Sequence, residues 1–234
     1  MVEGEGIGEV ILLKIPGVPD IVTMSWIVMA LIVILCALAV RRMKCAPTGL
    51  QNMLEFVFDW LGEKSEEMMG PDGPKYLPLL VTIFLYVLFC NLIGLLPGFK
   101  SPTSSLNTTI SLAVVVFFST HYIGIKKKGL WGYIKHFMGP PYWLAPLFFP
   151  IHIIGELARP LSLSMRLFGN IMAKEILLGI LALLFIVFFP IPLVGKPLML
   201  VPLVLRPGII LLGILVSFVQ ALVFTLLTMA YLGG

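Results

Sequence analysis

The sequence predicts an all-α membrane protein of about five membrane-embedded helices plus one amphipathic interfacial helix, the last two helices long, strongly tilted and packed as an antiparallel hairpin. Three observations carry this expectation. Of 234 residues, 59% are hydrophobic and 12% charged, with a mean hydropathy of +1.05, where a soluble domain carries about 25% charged residues. Uncharged runs recur that are long enough to cross a hydrocarbon core about 30 Å thick. Lysines and arginines cluster in two short loops, the pattern that encodes a chain's orientation in a bilayer. The net charge of +4 therefore belongs to membrane topology; the lipid bilayer is an expected partner and nucleic acid is not.

Residues 1–20 form an external N-terminal segment, and 21–234 a single membrane domain. The segment opens Met-Val-Glu-Gly-Glu-Gly, without the basic start of a cleavable signal peptide, so the first span is expected to do the targeting. That span, 21–40, has no charge and is followed at once by Arg41, Arg42 and Lys44. Its C-terminal end is therefore expected in the cytoplasm and the N-terminus outside. Over 48–69, Leu50, Met53, Leu54, Val57 and Leu61 recur at helical spacing against Gln51, Glu55, Asp59, Glu63 and Glu66, which suits a helix lying on the cytoplasmic surface. Pro71 and Pro74 end it. A second span, 76–96, runs outward to a turn-rich external loop, and a third, 107–125, returns to Lys126, Lys127 and Lys128. The two basic runs place the same face of the protein inside.

Residues 129–146 hold Trp131, Tyr133, Lys135, Tyr142 and Trp143, the composition of an interfacial segment. Two long apolar stretches follow, 147–189 and 198–232, separated by Pro190, Pro192, Lys196 and Pro197. As a helix the first would be roughly 60 Å long, about twice the hydrocarbon thickness, so it must tilt. The C-terminus then returns to the cytoplasmic side.

The chemistry is concentrated in those two stretches. Arg166 stands in a run apolar enough to enter a bilayer, where an arginine costs roughly 2.5 to 3.5 kcal/mol and normally marks an ion pathway. Relative to Arg166, Ser162 lies at about −40°, Arg159 at +20°, Asn170 at +40° and Glu156 at +80° around the helix, one polar stripe. In the last stretch Arg206, Gly213, Ser217, Thr228 and Tyr231 fall within about 80° of Gln220. Two such faces are expected to meet along one polar seam. Glu175 is about 180° from Arg166, Lys174 and Glu175 are adjacent and pair only loosely, and Glu156 is in reach of Arg159 alone. Since 198–232 contains no Asp or Glu, the counter-charge of Arg166 is expected on another chain.

Plainer roles compete elsewhere. Arg159 and Arg206 can snorkel to an interface, and Ser162, Ser164 and Ser217 can pack helices. His121, His136 and His152 stand alone, and Cys36, Cys45 and Cys90 lack metal or disulfide spacing.

The run Arg-Pro-Leu-Ser-Leu-Ser-Met-Arg-Leu-Phe-Gly-Asn-Ile from Arg159 to Ile171, followed by Lys174 and Glu175, and the run from Phe218 to Tyr231 closely resemble the membrane stator subunit a of F-type ATP synthases. Asn91 to Pro97 and Pro102 to Thr109 support the match. The resemblance covers most of the chain from about residue 75 onward and implies two tilted helices packed against a ring of c-subunits, with b-type peripheral stalk subunits and the rest of the complex as partners. It implies a bacterial inner membrane, no cofactor and two aqueous half-channels. Arg166 would then face the ring's carboxylate, stabilising it while ionised and blocking leakage between the half-channels. A charge crossing 100 mV releases about 2.3 kcal/mol, so several are needed per ATP, and rotation accumulates them. Asn170 and Gln220 match polar residues around that arginine, Glu175 and Glu156 match residues of the outer access path, and Asn107 matches a polar residue of the third span. Ser162, Ser217 and Tyr231 complete the expected ion path. Two departures stand out: many bacterial relatives have glycine in place of Lys174 and histidine or glutamate in place of Gly213. Ser105 also replaces an aspartate common in the external loop.

A stand-alone secondary transporter or channel is the main alternative, and it predicts internal repeats, which the sequence lacks. A membrane enzyme would need clustered metal-binding Asp, a Gly-x-Ser-Gly nucleophile or paired His, and ATP chemistry a Gly-x-x-x-x-Gly-Lys loop. None of these occurs.

Overall fold

The computed structural model describes residues 18–41, 49–96, 99–138, 145–189 and 195–233. Most of the expected external segment, Arg42, Lys44, Cys45, Tyr142, Trp143, Pro190 and Pro192 lie outside them, as do the side chains of Trp131, Tyr133, Lys135, His136, His152 and Lys196. The described residues form six α-helices and two 3-10 turns: α1 Asp20–Val40, α2 Leu50–Met69, the turn Gly70–Tyr76, α3 Leu77–Ile93, the turn Pro102–Ser104, α4 Leu106–Met138, α5 Ala145–Phe188 and α6 Gly195–Gly233. Five segments are long and apolar enough to cross a membrane.

Lipid solvates an apolar side chain as well as protein does, so burial in such a chain reports packing alone. α1 shows this: it is apolar all round, yet only Thr23, Met24 and Val28 are buried. Val28 meets Cys90 and Ile93 of α3. α3 is the axis of the bundle. Leu80, Val81, Ile83, Phe84, Leu85 and Val87 are buried together with Leu61 of α2, Leu163 and Leu167 of α5, and Ala221, Phe224 and Met229 of α6. Phe84 meets Phe218 edge to face, with ring centroids 6.0 Å apart, an arrangement that suits the aromatic quadrupoles. α2 is amphipathic and buries only Leu61 and Ser65.

α4 outruns its apolar stretch. It continues through Lys126, Lys127 and Lys128 and breaks at Gly129, where φ is +70° and ψ 160°, a backbone state that favours glycine. The backbone of 130–138 is a further helical piece beyond that kink.

α5 has 44 residues and α6 has 39, or about 66 Å and 58 Å of helix. They pack against each other and run antiparallel, as their contacts show: Arg159 meets Tyr231, Asn170 meets Gln220, and Lys174 meets Gly213. Each step forward on α5 is a step back on α6.

Candidate functional site: the polar seam of α5 and α6

Ser162, Arg166, Asn170 and Lys174 follow one another at intervals of four residues, so they form one ridge that drifts about 40° per step around the helix. That drift carries the ridge from an exposed face into the interior. Ser162, Arg166 and Asn170 are exposed, while Lys174 is only 8% exposed. Around them Leu161, Met165 and Met172 are also exposed, so Arg166 projects from an apolar face. Among the described residues Arg166 forms no ion pair, whereas Lys64–Glu67, Lys75–Asp72 and Arg159–Glu156 do.

One turn along the ridge, Asn170 Nδ2 donates to Gln220 Oε1 across 2.9 Å. Gln220 is 3% exposed, and its own Nε2 is buried without an acceptor among the described residues. A buried donor of this kind costs about 1 to 3 kcal/mol unless water or another partner reaches it.

A further turn on, Lys174 Nζ donates to the backbone carbonyl of Asn91 at 3.0 Å. The Asn91 side chain belongs to a buried polar cluster with the residues at the Pro102–Ser104 turn. Thr103 Oγ1 is 2.7 Å from Asn91 Oδ1, Ser101 Oγ is 2.8 Å from Thr103 Oγ1, and Ser101 Oγ donates to the carbonyl of Cys90 at 2.8 Å. Asn91, Ser101 and Thr103 are fully buried. Two hydroxyl protons cannot serve three contacts. With the Asn91 amide turned so that Nδ2 donates to Thr103, the chain of donors runs Asn91, Thr103, Ser101, Cys90 carbonyl, and Nδ2 is no longer the orphan it is otherwise. Position 94 must be small here, since a Cβ on Gly94 would stand 2.6 Å from that of Ser101.

At the other end of the hairpin, Arg159 donates to Glu156 Oε1 at 2.5 Å and its guanidinium lies 4.9 Å from the centre of the Tyr231 ring, within cation–π range. The helix puts nineteen residues, about 28 Å, between Glu156 and Glu175. Glu175 is half-buried beside Lys174. Ser217 is buried on the seam but bonds its own helix at the Gly213 carbonyl, 2.7 Å away. Asn107 is exposed in the first turn of α4, where its carbonyl accepts from Ser111 Oγ. Arg206 is exposed beside Pro207.

Asn91, Ser101 and Thr103 extend the seam beyond Lys174, where helical periodicity alone does not single them out. An asparagine inside the apolar run of α3, facing a turn rich in serine and threonine, was the available signal.

Helices long enough to cross a membrane, two of them joined along a line of polar side chains in one antiparallel hairpin, define a multi-pass membrane protein built on a polar seam. The chain matches the family model of the ATP synthase A chain over residues 22–233 and belongs to that family. It is 48% identical over 213 residues to ATP synthase subunit a 1 of Syntrophotalea carbinolica, covering 91% of this chain and 84% of the relative. It is 46% identical over 215 residues to ATP synthase subunit a of Geobacter sulfurreducens, and 47% over 215 to ATP synthase subunit a 3 of Pelobacter propionicus, covering in each case 92% of this chain and 86% of the relative.

Proposed function

We propose that this chain is the non-catalytic, proton-translocating stator subunit of a rotary ATP synthase in a bacterial inner membrane, working against a ring of carboxylate-bearing c-subunits. The observation that carries the proposal is Arg166: a permanent cation on an exposed apolar helix face, with no acidic partner among the described residues and with no Asp or Glu anywhere in 198–232. A charge so placed needs a partner that arrives from outside the chain.

In this mechanism a ring carboxylate approaching α5 is held ionised by Arg166, since a nearby opposite charge favours the charged form. A proton that reaches the carboxylate from one side neutralises it and lets it move off into lipid. The proton cannot cross directly to the other side, because the fixed arginine repels it. Asn170 and Gln220, bonded to each other one turn away, line the approach to that exchange point.

The two access paths fall at opposite ends of the hairpin. Lys174, Glu175, Asn91, Thr103 and Ser101 lie toward the external turn and serve the outer path. Glu156, Arg159 and Tyr231 lie at the cytoplasmic end and serve the inner one, so Glu156 is assigned away from the outer path. Ser162 and Ser217 supply small polar groups along the seam, while Asn107 lies off it at the start of α4.

The test replaces Arg166 with alanine in the assembled complex and measures ATP-driven proton pumping in membrane vesicles. Pumping is expected to be lost while ATP hydrolysis continues. Pumping that stays coupled to hydrolysis overturns the proposal.

A further inference from the structure

A pocket of about 640 Å³ opens away from the seam, between the Gly70–Tyr76 turn and the part of α4 that precedes Gly129. Its volume is that of a small-molecule site, which runs about 300–1,000 Å³. Asp72, Lys75, Tyr76 and Leu79 line one wall, and Ser119, Tyr122, Ile123 and Lys126 the other. Both walls carry their charge at the same end. Along the chain into α3, the charges of Asp72 and Lys75 give way to Tyr76 and then to Leu79. Backward along α4, Lys126 gives way to Ile123 and Tyr122 and then to Ser119, whose hydroxyl is spent on the Val115 carbonyl of its own helix.

The charges at the mouth do not cancel. Lys75 Nζ is 2.6 Å from Asp72 Oδ1, which neutralises one lysine, whereas Lys126 belongs to none of the ion pairs among the described residues. Two lysines against one aspartate leave one positive charge, and Lys127 and Lys128 follow directly in the sequence. This basic run is also what assigns that end of α4 to the cytoplasmic face, where the leaflet's anionic lipids set a negative surface potential. An anionic phospholipid has the polarity of the pocket: a phosphodiester at the level of the lysines and tyrosine hydroxyls, and hydrocarbon deeper in.

We propose that this pocket binds the headgroup of an anionic phospholipid, with Lys126 as the counter-charge of the phosphodiester, the Tyr122 hydroxyl as a hydrogen-bond donor, and an acyl chain laid along Leu79 and Ile123. The site is independent of Arg166 and of ion transport. Its occupant is a structural lipid that fills the gap between α3 and α4 and fixes their spacing at the membrane surface.

The experiment uses the detergent-purified complex, exchanged into phosphatidylcholine micelles with graded phosphatidylglycerol, and counts bound phosphatidylglycerol by native mass spectrometry. The complex is expected to hold one phosphatidylglycerol that Lys126→Gln loses with about fivefold lower affinity, the weight of one basic residue near such a surface. Lys126→Arg is expected to retain it, and excess inorganic phosphate not to displace it. A photo-crosslinking residue in place of Tyr122 is expected to capture lipid. Equal binding by the wild type and Lys126→Gln, or displacement by inorganic phosphate, overturns the proposal. So does capture of a protein by the crosslinker, which would make the pocket a seat for a partner helix.

Discussion

Lys174 fills the space that any side chain at position 213 would need: a Cβ on Gly213 would stand 3.1 Å from Lys174 Cδ and 2.7 Å from Leu95 Cδ2. Leu95 can swing its methyl aside, but the lysine stem is held by the bond of its ammonium to the Asn91 carbonyl. The glycine of α6 and the lysine of α5 are thus two halves of one steric fit.

Their effects on function are therefore expected to be coupled. Gly213→His alone should sharply lower ATP-driven pumping, and Lys174→Gly in the same chain should restore part of it. Residues in contact commonly show interaction energies of about 0.5 to 3 kcal/mol. A pumping assay on the two single variants and the double variant measures this, and additive losses would show that the positions do not share space.

The Asn170–Gln220 hydrogen bond is a direct polar link across the seam. Removing either amide leaves the other without its partner, so Asn170→Ala and Gln220→Ala should each impair pumping, and the double variant should be little worse than one of them. Net, such a bond is worth about 1 kcal/mol. Initial pumping rates in vesicles, compared with hydrolysis rates, provide the check.

Thr103→Val keeps the shape of the side chain and deletes the hydroxyl that joins Ser101 to Asn91. The buried groups left behind should cost about 1 to 3 kcal/mol, seen as a lower thermal midpoint of the complex. Thr103→Ser, which keeps the hydroxyl, should stay close to wild type. Equal destabilisation by both would point to packing instead of hydrogen bonding.

Glu156→Gln is expected to alter stability little. Its partner Arg159 is about half exposed as a side chain, at 47%, and exposed ion pairs contribute about 0 to 1 kcal/mol. Its signature should be functional: slower proton release toward the cytoplasmic side with an unchanged thermal midpoint. A large fall in that midpoint would make the pair a structural clamp on Tyr231.

Helices were the legible part of the sequence, because an uncharged run of some twenty residues has one stable form in lipid. The helices Asp20–Val40, Leu106–Met138 and Gly195–Gly233 each contain such a run, and Ala145–Phe188 contains a stretch long and apolar enough to cross a membrane. Periodicity also put Arg166, Asn170 and Gln220 on facing stripes. It could not extend α4 through its lysines to Met138, since a helix is held by its backbone and ends at Gly129 only by bending. Nor could it join Asn91 to Lys174, 83 residues apart. Contacts of that kind depend on how helices are set against each other, about which the spacing along one helix says nothing.

The length of α5 changes what depth means in this protein. To lie within about 30 Å of hydrocarbon, a helix of about 66 Å must lean by roughly 60°. The eight residues between Arg166 and Lys174 then cover about 12 Å along the helix but only about 6 Å of depth. Two entrances opening at opposite surfaces can therefore end at nearly the same level, side by side. In the proposed mechanism what keeps them apart is a sideways distance, and a carrier that travels in a circle is the simplest device for crossing it.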